Sequence, residues 1–315
     1  MEYVLLLISL IVIVKAADVL VDASVSIAEK LGLPKILIAL TIMAFSTCAP
    51  ELAVSFTSIS AGNGTIAFSN VIGSCIVNIL LVIGAAAVIN PIRVKDSTIK
   101  KELPLLMLIT LAFASTILEG IASPKAAGIF SRSKGFLFVC LFSLFILYIA
   151  QLVKKRQKTD TEIESKYSIK KAIIYFILSI IAIIISSDLL VENATLVADK
   201  LGISQKLITM VVIVVGTSLP ELVMTCLAAK KNEHEMAIGN IIGTNIFNIC
   251  IVLGLPITIL GDVQIVGFNV IDIAFIAIAA ILLFIFANNG RRVSRREGIV
   301  MIGTFIAYYT YLILL

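Results

Sequence analysis

Two glutamates, Glu51 and Glu221, stand 170 positions apart inside matching segments, Ser-Thr-Cys-Ala-Pro-Glu-Leu (46–52) and Gly-Thr-Ser-Leu-Pro-Glu-Leu (216–222). Each lies within a long apolar run. On translocon-type scales an acid at the centre of a membrane helix costs roughly 2.5–3.5 kcal/mol, so each carboxylate needs a partner. No lysine or arginine lies within a span to serve both. Two carboxylates brought to one point repel, and a bound cation removes that repulsion. The competing reading, two glutamates simply hydrogen-bonded to neighbouring helices, leaves their duplication unexplained.

Helical spacing gathers further oxygen-bearing residues around each acid. Ala44, Thr47, Cys48, Glu51 and Ser55 share one face, as do Val214, Thr217, Ser218, Glu221 and Thr225. In the next apolar run Asn70, Ser74 and Asn78 lie four apart, matched by Asn240, Thr244 and Asn248. Small polar residues also serve as glue between membrane helices, and Asn70 and Asn240 fit that role equally well. Ser74, Asn78, Thr244 and Asn248 are read as lining an ion path. Pro50 and Pro220 precede the acids directly. Placed inside a helix, each would free the carbonyl four residues back, at Ser46 and Gly216. Such freed backbone is tolerated at membrane depth where it lines a cavity or meets an ion. An all-oxygen lining with two formal charges suits a hard cation: calcium takes 6–8 oxygens, and sodium accepts the same ligand types. No His, Cys or Met cluster suggests zinc or copper. His234 falls in the loop KKNEHE (230–235) and is read as solvated; four or five of the five cysteines are read as inert apolar residues with no disulfide framework, Cys48 being weighed separately for its position.

These residues need membrane helices to position them. A mean hydropathy of +1.10, 60% hydrophobic and 14% charged residues exclude an ordinary soluble domain, which carries about 25% charged residues. The apolar runs give an all-α polytopic protein of ten spans: 2–30, 35–60, 66–90, 103–121, 135–153, 170–200, 205–229, 235–260, 266–287 and 297–315. Residues 18–84 match residues 188–254 without a gap, and DVLVDASVSIAEKLG (18–32) returns as DLLVENATLVADKLG (188–202). The first and sixth spans are long, carry acids toward their ends (Asp18, Asp22, Asp188, Glu192), and close at Gly32 and Gly202 as C-terminal caps. The apolar N-terminus lacks a basic n-region and a clear cleavage site, and is read as the first span. The polar stretch from Lys154 divides the chain into a first five-helix repeat (1–153, motif 41–84), a linker (154–169) and a second repeat (170–315, motif 211–254). An odd number of spans per repeat inverts the second copy, so a pseudo-two-fold axis lies in the membrane plane. Of 25 basic residues, 20 fall in loops on one side and 5 on the other. The positive-inside rule makes the first side cytoplasmic and puts both termini outside a plasma membrane. The net charge of +5 is thus a topology signal, with no nucleic-acid-binding pattern beside it.

The motifs TCAPE with GSCIVN, and GTSLPE with GTNIFN, resemble the paired repeats of the sodium/calcium exchangers in the calcium/cation antiporter superfamily. The resemblance covers both halves in order. It implies ten helices, alternating access with no cofactor, and sliding of the first and sixth helices past the other eight. It also implies calcium ligands at Glu51 and Glu221 with the carbonyls of Thr47 and Thr217. Sodium donors would be Ala44, Thr47, Cys48, Ser74, Val214, Thr217, Ser218 and Thr244 around the same acids, with Asn78, Asn248, Pro50 and Pro220 flanking. Cys48 departs from a serine common in the motif, and Ser46 from a glycine. Asn248 stands where potassium-dependent members carry aspartate, which speaks against potassium cotransport. The resemblance thus implies Na+ and Ca2+ as substrates of a monomer in the lipid bilayer. A Ca2+/H+ antiporter of the same superfamily is the alternative. An intramembrane hydrolase would need an HExxH, paired-aspartate or serine–base motif, and no HExxH occurs. A passive cation channel is distinguished by net leak rather than counterflow.

Overall fold

The computed structural model describes residues 2–62, 64–122, 128–154, 165–200, 214–265 and 267–314. Helix α1 (Glu2–Leu31) ends as its glycine predicts. Gly32 takes a φ of 60° and Leu33 N–H donates to the Ala28 carbonyl at 2.8 Å, which closes the last turn without Cβ strain. Gly202, Lys125, Lys206 and linker residues 155–164 lie outside the described residues, as does the side chain of Asp188.

The expected span 35–60 is not one continuous helix. It runs through α2 (Lys35–Ile38), a π-helical turn (Ala39–Met43) and α3 (Ala44–Thr47), then breaks at Cys48 and resumes as α4 (Ala49–Ser60). Its counterpart, described from residue 214, runs as α10 (Val214–Thr217), breaks at Ser218 and resumes as α11 (Leu219–Lys230). Cys48 (φ −80°, ψ −4°) and Ser218 (φ −87°, ψ 1°) sit between helical segments, in the sparsely populated bridge region. The placement of the prolines inside a helix is therefore corrected. Each stands in the first turn of a new helix, where its missing N–H has no ladder partner to lose.

The segments after these breaks widen rather than kink. Helix α5 (Gly64–Ile76) passes through a π-helical stretch (Val77–Ile83) into α6 (Gly84–Ile89), and α12 (His234–Phe247) passes through another (Asn248–Leu253) into α13 (Gly254–Leu260). Asn78 and Asn248 thus lie at the start of corresponding π turns, a feature frequent at functional sites. Every side chain from Met236 through Phe247 is buried. The remaining long helices are α7 (Leu103–Ala122), α8 (Arg132–Lys154), α9 (Ile169–Lys200), α14 (Val270–Asn288) and α15 (Arg295–Leu314). Among the described residues, eight helices are long and apolar enough to cross a membrane. The two glutamate-bearing segments are the interrupted ones. Helices α1 and α9 pack mainly on each other, with Leu7, Ile11, Ile177 and Leu178 on exposed outer faces.

Short contacts fix which loops share a face. Strand β1 (Ile92–Arg93) pairs antiparallel with β4 (Arg292–Val293), and β2 (Ile129–Phe130) with β3 (Val263–Gln264). Lys35 meets Glu233 at 2.8 Å, Lys95 meets Glu235 at 2.5 Å and Arg291 meets Asp96 at 2.8 Å. Lys231 holds Asp18 at 2.8 Å and Asp22 at 2.6 Å, and Lys166 also pairs with Asp22. These ion pairs bring loops from the basic-rich set together. On the other set, Arg132 N–H donates to Asp262 at 2.7 Å.

Candidate cation-binding site

Glu51 and Glu221 are 1% and 0% exposed. Both follow a helix break, and the elements around them interlock between the two halves. A Cβ on Gly73 would meet Val214 Cγ1 at 2.8 Å, and one on Gly243 would meet Ala44 Cβ at 2.8 Å and the Leu40 carbonyl at 2.7 Å. Only glycine allows α5 and α12 this close to α10 and α3. The π turn at Val77–Ile83 packs on α11, the Glu221 helix, and the one at Asn248–Leu253 packs on α4, the Glu51 helix.

Side chains meet in the same crossed pattern. The Thr47 hydroxyl donates to the Ala44 carbonyl at 3.2 Å, and the Thr217 hydroxyl to the Val214 carbonyl at 3.2 Å. The Cys48 Sγ of the first half donates to the Thr244 carbonyl of the second at 3.7 Å. First-half Cys48 thus faces a second-half group.

Several oxygens here have no hydrogen-bond partner among the described residues: Ser74 Oγ, Ser218 Oγ, Thr244 Oγ1, Asn78 Oδ1, Asn248 Oδ1 and both carboxylate oxygens of Glu221. Buried polar groups are overwhelmingly hydrogen-bonded, so oxygens left in this state fit a cation better than they fit an apolar core. Ser55 Oγ and both amide atoms of Asn70 are likewise without a partner among the described residues, while Asn240 Nδ2 donates to Thr225 at 3.5 Å. No group of three or more His, Cys, Asp or Glu gathers as a metal site among the described residues. A cation held here would rely on two carboxylates and neutral oxygens.

The outlying sequence expectations fare unevenly. His234 is not in a loop: it opens α12 and is half-buried, because the turn before it is tight enough for the helix to start there. Cys48, Cys75 and Cys250 are buried, whereas Cys140 is exposed and Cys226 half-buried. Asn245, not singled out from sequence, is buried between Asn78 and the Cys75 carbonyl. Glu102 and Asp272 are also buried, and they too are 170 positions apart. Tyr148 donates to Glu102, and Tyr308 donates to Asp272 at 3.1 Å.

Comparison with known proteins decides the family. The profile described as sodium/calcium exchanger protein matches residues 1–151 and 171–314. The chain belongs to the sodium/calcium exchanger family. It is 29% identical to the sodium/calcium exchanger MaX1 of Methanosarcina acetivorans, over 99% of this chain and 98% of that one. It is 30% identical to the inner membrane protein YrbG of Escherichia coli, over 98% and 95%. Its fold matches a solved structure of the sodium-calcium exchanger NCX_Mj, soaked with Na+ and Sr2+, with a TM-score of 0.83 at 29% identity over 98% and 97% of the two chains. This exchanger-family chain is therefore a multi-pass membrane transporter of the cation/calcium exchange class, and not an enzyme.

Proposed function

We propose that this chain is a secondary active antiporter that exchanges Na+ for Ca2+ by alternating access, with Glu51 and Glu221 as shared central ligands. One observation carries the reading: Glu51 and Glu221 are both buried just after a helix break, and the π turn of each half packs on the glutamate helix of the other. The two carboxylates balance one Ca2+, and the Thr47 and Thr217 carbonyls extend its oxygen cage. Ala44, Thr47, Cys48, Ser74, Val214, Thr217, Ser218 and Thr244 supply donors for Na+ around the same acids. Sodium and calcium thereby compete for shared oxygens. Either load lets the site change sides, while the doubly charged unloaded site resists crossing.

Ten spans in two inverted five-helix repeats, 1–153 and 170–315, are part of the same proposal. The ribbon pattern supports it, since exchanging halves carries the β1–β4 pair onto the β3–β2 pair. The clustering of Lys35, Lys95, Lys166, Lys231 and Arg291 through ion pairs on one face supports a cytoplasmic face there. Calcium uptake into sodium-loaded proteoliposomes tests the coupling. Uptake that rises with the outward sodium gradient is expected. Uptake indifferent to sodium but driven by a pH gradient would move the assignment to Ca2+/H+ exchange.

A further inference from the structure

Asn245 occupies in the second half the position that Cys75 occupies in the first. Both ends of its amide are engaged. Its Nδ2 donates to the Cys75 backbone carbonyl at 3.5 Å, and its Oδ1 accepts from Asn78 Nδ2 at 3.2 Å. Asn78 and Asn245 are each 1% exposed, so both bonds are made away from bulk solvent.

The direction of this chain of bonds follows from its anchor. A backbone carbonyl can only accept, so the Asn245 amide must turn its NH2 toward Cys75. Its oxygen then faces Asn78, and only the Asn78 NH2 can answer it. With its donor end used, Asn78 has its oxygen left over, and Asn78 Oδ1 has no partner among the described residues. An asparagine beside a cation path is useful only in this orientation, since the opposite one would aim two N–H groups at a positive ion.

The mirrored position lacks this device. Asn248 corresponds to Asn78, and the residue corresponding to its would-be lock is Cys75, which carries no amide. Neither amide atom of Asn248 has a partner among the described residues. The two flanking asparagines are thus not equivalent, although they sit at matching positions.

We propose that Asn245 is a positioning residue that holds the Asn78 amide with its oxygen committed to the cation, making Asn78 the fixed donor of the pair and Asn248 the adaptable one. The proposal rests on the reading of Glu51 and Glu221 as the exchange site. It specifies which neutral side chain completes that site and why.

A double-mutant cycle on the full chain in proteoliposomes tests it, read as sodium-gradient-driven 45Ca2+ uptake. Asn245→Ala is expected to raise KM for Ca2+ about 10-fold, the scale of losing a support for a metal ligand, with kcat little changed. Asn78→Ala should raise KM by a similar factor, and the double variant should add nothing further. In an Asn78→Asp background, where both ends of the side chain are oxygens, Asn245→Ala should leave KM unmoved. Asn245→Ser serves the same cycle where the alanine variant does not fold. Unchanged KM in Asn245→Ala, or additive effects in the cycle, would overturn the positioning role. The exchange-site reading is separated by Glu51→Gln in the same assay. Loss of uptake there beside an unaffected Asn245→Ala removes the inference alone, whereas wild-type uptake in Glu51→Gln removes both.

Discussion

Cys48 puts a thiol where the family motif commonly has a hydroxyl, at the helix break between Thr47 and the Glu51 segment. Sulfur is a soft donor and a poor ligand for sodium. Cys48→Ser is therefore predicted to strengthen sodium binding by about one neutral contact, 0.5–1.5 kcal/mol or about 2- to 10-fold. Sodium inhibition of Ca2+ uptake measures this, and an unmoved half-inhibitory concentration would mean that position 48 does not touch sodium. Most of the candidate site was legible at this scale, because duplication marks both acids and the Thr, Ser and Asn positions around them. Asn245 escaped notice for the opposite reason: its counterpart is Cys75, so comparing the halves gave it no mark, and its role depends on a carbonyl no side-chain pattern reports. Glu102 and Asp272 escaped because KKELPLLML (100–108) and VIDIAFIAI (270–278) share no identical residue. Their burial is made tolerable by the tyrosines, and for Asp272 also by a capping box with Asn269. Tyr308→Phe is predicted to cost about 1 kcal/mol by removing one of these bonds, read as a lower Tm in detergent; an unchanged Tm would make that bond idle.

Among the elements, the paired breaks at Cys48 and Ser218 do most to shape the site, and hydropathy alone could not show them. A window across 35–60 averages over one non-helical residue, and proline in an apolar run is compatible with either a kink or a new first turn. The backbone geometry distinguishes these, and the result is two short helices meeting at each acid. Close approach at Gly73 and Gly243 holds these elements together. Gly243→Ala is predicted to destabilise by about 1–3 kcal/mol through overpacking against Leu40 and Ala44. Gly303 has nothing within 4 Å of an added Cβ, so Gly303→Ala in α15 should be neutral or stabilising by up to about 1 kcal/mol. Thermal unfolding of both variants checks the contrast, and equal effects would deny that the crossing is tight.

Over the whole molecule, the ion pairs and the two ribbons tie loops from both halves together face by face. The basic residues foreshadowed that grouping, while its particular partners, such as Lys231 with Asp18 and Asp22, depend on how the halves dock. A membrane-impermeant thiol reagent should label Lys100→Cys and Arg292→Cys from the cytoplasmic side only, and Ser133→Cys from outside only. Labelling of Lys100→Cys and Arg292→Cys from opposite sides would break the proposed topology. The deeper claim is that one acid from each half serves a single ion. Isotope flux of 45Ca2+ in liposomes carrying Glu51→Gln or Glu221→Gln addresses it most directly. Each substitution alone should abolish sodium-dependent exchange, because neither half can hold the divalent ion by itself; wild-type rates in both variants would contradict the account.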